Sequence, residues 1–183
     1  RSRKSHYRWI FKIGRLPSSF FFGNLLYYGR EICMKKKIGI LLAIGLLLTG
    51  CNGNTIAKID ITKFDDVMNN RGFFVTDQTE TLSNENVTAA HVAYDSSYEL
   101  NFITCNTPET CQSMFSSNKE TILNQDGEVS VEEEKTGDNY QVYKVFIGDR
   151  YYVLVQVEDT YLYVDVYRSY NYEIKNIVEE LGY

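Results

Sequence analysis

Residues 140–167 read Tyr-Gln-Val-Tyr-Lys-Val-Phe-Ile-Gly-Asp-Arg-Tyr-Tyr-Val-Leu-Val-Gln-Val-Glu-Asp-Thr-Tyr-Leu-Tyr-Val-Asp-Val-Tyr. β-branched and aromatic residues dominate the stretch, and such side chains fit a pleated, half-buried surface. Gly148-Asp149 fits a two-residue hairpin turn with Gly first, and Asp159-Thr160 marks a second turn. Three strands are therefore expected, over Tyr140 to Ile147, Tyr151 to Val157 and Tyr161 to Tyr167. Strands joined by tight hairpins are antiparallel. Leu162, Val164 and Val166 alternate with Tyr161, Tyr163, Asp165 and Tyr167, which predicts one buried and one partly wet face.

Working outward, Val129 to Lys135 reads as a fourth strand, joined through a turn at Thr136 to Asn139. Upstream, Thr107 is a good N-cap, Pro108 suits the first helical position and Glu109 favours the positive end of a helix. Cys111, Met114, Phe115 and Ile122 fall along one face of that helix, and Asp126-Gly127 stops it. Val87 to Tyr94 and Tyr98 to Cys105 form a hairpin around Asp95-Ser96-Ser97, Phe73 to Val75 starts a strand, and the polar run Gln78 to Asn86 reads as loop. A first helix is predicted over Thr62 to Arg71, with Thr62 and Asp65 as a capping box, Ile61, Phe64, Val67 and Met68 on its apolar face, and Gly72 as its stop. A last helix carries Ile174, Ile177, Val178 and Leu181, capped by Ser169 or Asn171 and closed by Gly182. The fold class is α+β: an antiparallel sheet of about six to seven strands packed on one face by three helices, in the order α-β-β-β-α-β-β-β-β-α.

The 183 residues carry a formal net charge of −5, and this mild value is a cancellation. Residues 1–50 hold ten Lys or Arg against Glu31 alone, a charge of +9. The 133 residues from Cys51 onward hold nine Lys or Arg against 23 acids, a charge of −14. Such asymmetry marks a targeting segment or a tail. Lys35, Lys36 and Lys37 make a positive n-region, and Ile38 to Leu48 is an apolar run of signal-peptide length, well short of the roughly 20 residues a spanning helix needs.

Leu48-Thr49-Gly50-Cys51 follows, and with the polar Asn52-Gly53-Asn54 behind it this order resembles the leader and lipobox of bacterial lipoproteins. The resemblance implies recognition of Leu48, Thr49 and Gly50 by a signal peptidase, cleavage before Cys51, and a diacylglyceryl group on the Cys51 thiol. The expected location is the outer face of the bacterial cell membrane. Residues 1–33 precede a complete leader and are expected to be upstream translation, with Met34 as the start; 34–50 is the signal peptide, 51–60 the lipidated Cys and a short tether, and 61–183 a single α+β domain. The domain's pattern, ending in a helix and Leu181-Gly182-Tyr183, is similar to a group of small single-domain lipoproteins of Gram-positive anaerobes, which brings no established activity with it.

Few residues after Cys51 carry recognisable chemistry. His91 is the one histidine after Cys51; a general base needs a positioned partner, and a structural His is the simpler reading. Cys105 and Cys111 are close enough in sequence for a disulfide, which export permits, and two half-buried thiols are the alternative. The oxygen-rich runs at Asp65-Asp66, Asn124 to Glu128 and Glu132 to Glu134 lack the spacing of a Ca²⁺ loop, and no metal or cofactor is expected. A charge of −14 disfavours nucleic acid. Ten of the twelve tyrosines after Cys51 lie between Tyr140 and Tyr183. Tyr143, Tyr161, Tyr163 and Tyr167 are candidates for a flat surface meeting a protein or glycan, since Tyr combines an apolar ring with a polar tip; packing under the helices is the simpler account. The expectation is a lipid-anchored, non-enzymatic binding module. The alternatives are an envelope hydrolase using His91 with a cysteine or carboxylate, and a structural or assembly module of the envelope.

Overall fold

A computed structural model describes residues 54–82 and 84–183. The expectations for residues 1–53, including Leu48, Thr49, Gly50 and Cys51, lie outside the described residues. The elements run α1 (Ile61–Asn70), β1 (Phe74–Asp77), α2 (Thr79–Leu82), β2 (Val87–Tyr94), β3 (Glu99–Cys105), α3 (Pro108–Leu123), β4 (Val129–Thr136), β5 (Tyr140–Ile147), β6 (Arg150–Val157), β7 (Thr160–Tyr167), a 3₁₀ turn (Arg168–Tyr170) and α4 (Asn171–Leu181). The class is α+β with one antiparallel sheet of seven strands, in the order β1-β2-β3-β7-β6-β5-β4. Two meanders meet where β3 pairs with β7, Phe102 opposite Leu162.

Local chemistry sets most boundaries. Thr107 caps α3 by accepting from the Thr110 amide, with Pro108 at the first position. The cap of α1 is Asp60, whose carboxylate accepts from the Lys63 amide at 2.8 Å, and not Thr62. A carboxylate at this position also complements the positive helix end. The polar run after β1 is not wholly loop: Asp77 accepts from both the amide and the hydroxyl of Thr79, and this starts the four-residue α2. The turn between β6 and β7 falls on Glu158 and Asp159, one residue earlier than expected, with Glu158 at φ +52°. Neither Ser169 nor Asn171 caps α4; the 3₁₀ turn feeds it, and the Asn171 side chain donates to the Arg168 carbonyl.

Helices cover both faces of the sheet, and the expected one-sided packing is corrected by two separate cores. On one face Phe64, Val67 and Met68 of α1 and Ile174, Ile177, Val178 and Leu181 of α4 pack on Leu100, Phe102, Val153, Val155, Leu162, Val164 and Val166. On the other, Cys111, Phe115 and Ile122 of α3 pack on Ile103, Tyr143, Val145, Tyr152, Leu154 and Tyr161. The alternation in β7 misled because tyrosine rings are buried as readily as valine when their hydroxyls find partners. Tyr161 meets the Asn118 amide at 3.0 Å and Tyr152 the Gln125 side chain at 2.5 Å.

Phe64→Ala and Phe115→Ala probe the two cores separately. Each is expected to lower the unfolding free energy in urea by about 3–5 kcal/mol. If the face under α3 were only a wet surface, Phe115→Ala would stay within about 0.5 kcal/mol.

Candidate functional site

The expected four-tyrosine surface is not formed. Tyr143 and Tyr161 are buried beneath α3, with the Lys119 ammonium 4.4 Å over the Tyr143 ring. Tyr163 is half-buried, and Tyr167 is exposed at 55%. Cys105 and Cys111 are bonded, with Cα atoms 5.8 Å apart, pinning the end of β3 to the first turn of α3. His91 is paired: Nδ1 lies 2.8 Å from the Asp65 carboxylate of α1, and Nε2 lies 3.9 Å from Asp77. Among the described residues no group of three or more His, Cys, Asp or Glu converges to hold a metal, and no helix is long and apolar enough to cross a membrane.

What sequence reading missed is an uncovered part of the sheet. Helix α3 packs over β6, β7 and β3 and leaves Phe74 and Tyr94 exposed on the same face, at the corner of the sheet where β1 and β3 begin. Register builds a row across the strands there. Phe74 of β1 stands opposite Tyr94 of β2, and Tyr94 opposite Glu99 of β3. The β3–β7 register puts Asp165 beside Glu99, and Asp165 stands opposite Tyr152 of β6. Phe74 is 69% exposed and Tyr94 39%, their rings 6.0 Å apart. Tyr163 and the buried Asn101 face each other one step further along β7 and β3.

The charges on this corner are unequal in their partners. The Arg150 guanidinium binds Asp165 through Nε at 2.8 Å and Nη2 at 2.6 Å, and lies 4.7 Å over the Tyr167 ring. Burial nevertheless raises the Asp165 carboxyl, with Arg150 opposing. Glu99 is half-buried and forms no ion pair among the described residues. Burial raises its carboxyl, the Asn101 side chain opposes, and the charge of Asp165 adds to the rise. The sequence signal for this pair was present: an acid interrupts the strand pattern at Glu99 and again at Asp165.

The other end of the sheet is occupied by the chain's own lead-in. The Asn54 carbonyl accepts from the Asp138 amide at 2.9 Å, and its side chain meets the Tyr140 hydroxyl at 3.0 Å and the Thr136 carbonyl at 3.3 Å. Ile56 exchanges hydrogen bonds with the Asn139 side chain, and Lys58 pairs with Asp159 at 2.8 Å. Ile56 and Ile59 pack on the α1–α4 core. The described part of the expected tether is therefore a strap bound to the β4–β5 turn. Gly137 makes room for it, because a Cβ there would lie 2.2 Å from the Asn54 carbonyl and 2.1 Å from the Tyr140 ring. A shallow cavity of about 340 Å³ opens beside the strap, between Pro108, Glu109 and Gln112 of α3 and the turn.

The chain matches no family model, and no curated protein or solved structure is significantly similar to it.

Two expectations follow from the strap. Gly137→Ala displaces it, so hydrogen exchange at the amides of Ile56 and Asp138 becomes faster while exchange in β6 is unchanged. The second concerns Tyr183, whose hydroxyl meets Thr160 and the Ile59 backbone; burial outweighs both contacts and pushes it up to about 12. An unfolded Tyr titrates near pH ~10, so the folded state holds this proton more tightly. Its contribution is complete below pH ~10 and is lost as pH rises through about 12. Tyr183→Phe is expected to move alkaline unfolding, followed by circular dichroism, to higher pH.

Proposed function

We propose that the chain is a lipid-anchored lipoprotein of the outer face of the bacterial cell membrane, and that its domain is a non-enzymatic binding module for a partner outside the cell. One observation carries the reading: the strap and the bare corner lie at opposite ends of the same sheet. Only Asn52 and Gly53 separate Cys51 from the first strap residue, Asn54. Three backbone steps reach about 10 Å, at ~3.3–3.6 Å each. A diacylglyceryl group on Cys51 holds the β4–β5 turn close to the headgroups and leaves Phe74, Tyr94 and Glu99 directed outward. Two acyl chains are enough for stable anchoring, and a charge of −14 keeps the rest of the body off an anionic surface.

The hydrolase reading has the His91–Asp65 pair in its favour. Nε2 of His91, however, faces the Asp77 carboxylate, and Cys105 and Cys111 are bonded to each other. Among the described residues the partners of the imidazole are two carboxylates and not a nucleophile.

Cys51→Ser is expected to move the protein from the membrane to the aqueous fraction, and intact mass spectrometry of the wild-type protein to give an N-terminus at lipidated Cys51. A Cys51→Ser protein that stays with the membrane, or a mature mass that retains residues 1–33, overturns the anchor.

A further inference from the structure

Glu99 stands in an unusual place for a carboxylate. Its row runs Phe74, Tyr94, Glu99, Asp165 across four neighbouring strands, on the part of the sheet that α3 leaves open. Such positions are commonly neutral, or carry a cation that pairs with the acid, because a desolvated charge without a partner is costly. Arg150, the guanidinium that reaches this row, is already engaged: it pairs with Asp165 and lies 4.7 Å over the Tyr167 ring. Asp165 adds a second negative charge beside Glu99. Aromatic rings frame the acid, with Tyr94 directly opposite on β2 and Phe74 beyond it on β1. Tyr163 lies on the same face of β7, close enough to feel the charge of Glu99.

We infer that this corner binds a cationic side chain, an arginine guanidinium or a lysine ammonium, of a partner protein, with Glu99 as the charge partner and Tyr94 and Phe74 as the aromatic wall. The inference deepens the binding-module reading and rests on it. A cation supplies what Glu99 lacks beyond its hydrogen bond with the Asn101 side chain, an opposite charge in a partly dry setting. The faces of Tyr94 and Phe74 attract the same group through their ring quadrupoles. The flat face accepts a peptide laid across the strands. A neutral glycan would gain stacking on the two rings but would leave the Glu99 charge uncompensated, so the charge pattern favours the peptide. The surplus acid of the domain draws a cationic partner from a distance.

The test uses the full chain in detergent and four probes: blocked Gly-Arg-Gly, blocked Gly-Lys-Gly, the matching citrulline peptide, and a neutral β-linked tetrasaccharide. Calorimetric titration is expected to show both cationic peptides binding at least tenfold more tightly than the citrulline peptide. Glu99→Gln and Tyr94→Ala are each expected to lose at least fivefold of that affinity, while Glu179→Gln, an acid exposed on α4, changes it less than twofold. Glu99→Gln keeps the side chain's shape and removes only the charge, and an unchanged melting curve verifies that the variant is folded. Equal binding of arginine and citrulline peptides overturns the inference, as do an equal loss with Glu179→Gln and glycan binding that ignores Glu99. A photo-crosslinker at Phe74 in native envelopes separates the two levels. Crosslinks to a protein that persist in Glu99→Gln overturn the cationic assignment and leave the binding module standing. No crosslink at Phe74 together with no peptide binding overturns both.

Discussion

Strand β6 imposes the constraint on which everything else depends. From Tyr151 to Val157 seven consecutive side chains are buried, and no strand can achieve this unless material lies on both of its faces. Side chains alternate, so Tyr151, Val153, Val155 and Val157 need one cover and Tyr152, Leu154 and Gln156 another. α1 and α4 supply the first and α3 the second. The polar member, Gln156, is tolerated because its amide reaches the Glu158 carbonyl at 2.5 Å. Continuous apolar strands of this kind are typical of parallel sheets covered by crossover helices. Here antiparallel hairpins reach the same end, with a helix at each end of the domain folding back on one face and a single long helix crossing the other.

How much of this was legible follows from range. Signals that act within a few residues were readable. Thr107-Pro108 starts a helix, Gly148 turns a hairpin with φ +56°, and Gly182 ends a helix with φ +99°. The pairing of β3 with β7 joins residues about 60 positions apart and leaves no local mark. The two-sided core was marked, in the uninterrupted run Tyr151 to Val157. The neighbouring alternation of Tyr and Val in β7 was the more conspicuous pattern, and it treats Tyr as a surface residue. Asp60 outcompetes Thr62 as a cap for a reason that sequence reading weighs poorly: both residue types cap well, and the packing of Ile59 and Ile61 against the core fixes where the first turn begins.

The candidate corner was hidden for a related reason. Glu99 and Asp165 sit far apart in the chain and become neighbours only through that non-local β3–β7 pairing. The strap was hidden because Asn-Gly-Asn followed by a few mixed residues has the composition of a linker. Its docking depends on one absent side chain, that of Gly137, and on an asparagine at each end of the contact, Asn54 and Asn139. Hydrogen bonds of this sort are worth about 1 kcal/mol each and gain force only when several close together.

The distribution of charge ties the two ends of the domain to each other. The domain has few cations and commits most of them internally: Lys58 to Asp159, Arg71 to Glu180, Lys119 to Glu134, Lys135 and Lys144 to Glu133, Arg150 to Asp165, and Lys175 to Glu132. Four of these pairs join elements other than neighbouring strands: Lys58 fastens the strap, Arg71 ties the end of α1 to α4, Lys119 ties α3 to β4, and Lys175 ties α4 to β4. Glu99 has no ion pair among the described residues, while Arg150 is held by Asp165 and lies over the Tyr167 ring. An acidic body with seven of its nine basic residues engaged in ion pairs repels an anionic surface and attracts cations. Glu99 sits with the exposed rings of Phe74 and Tyr94 at the end of the sheet opposite the strap, so that uncompensated acid and exposed aromatic surface coincide at one end of the domain.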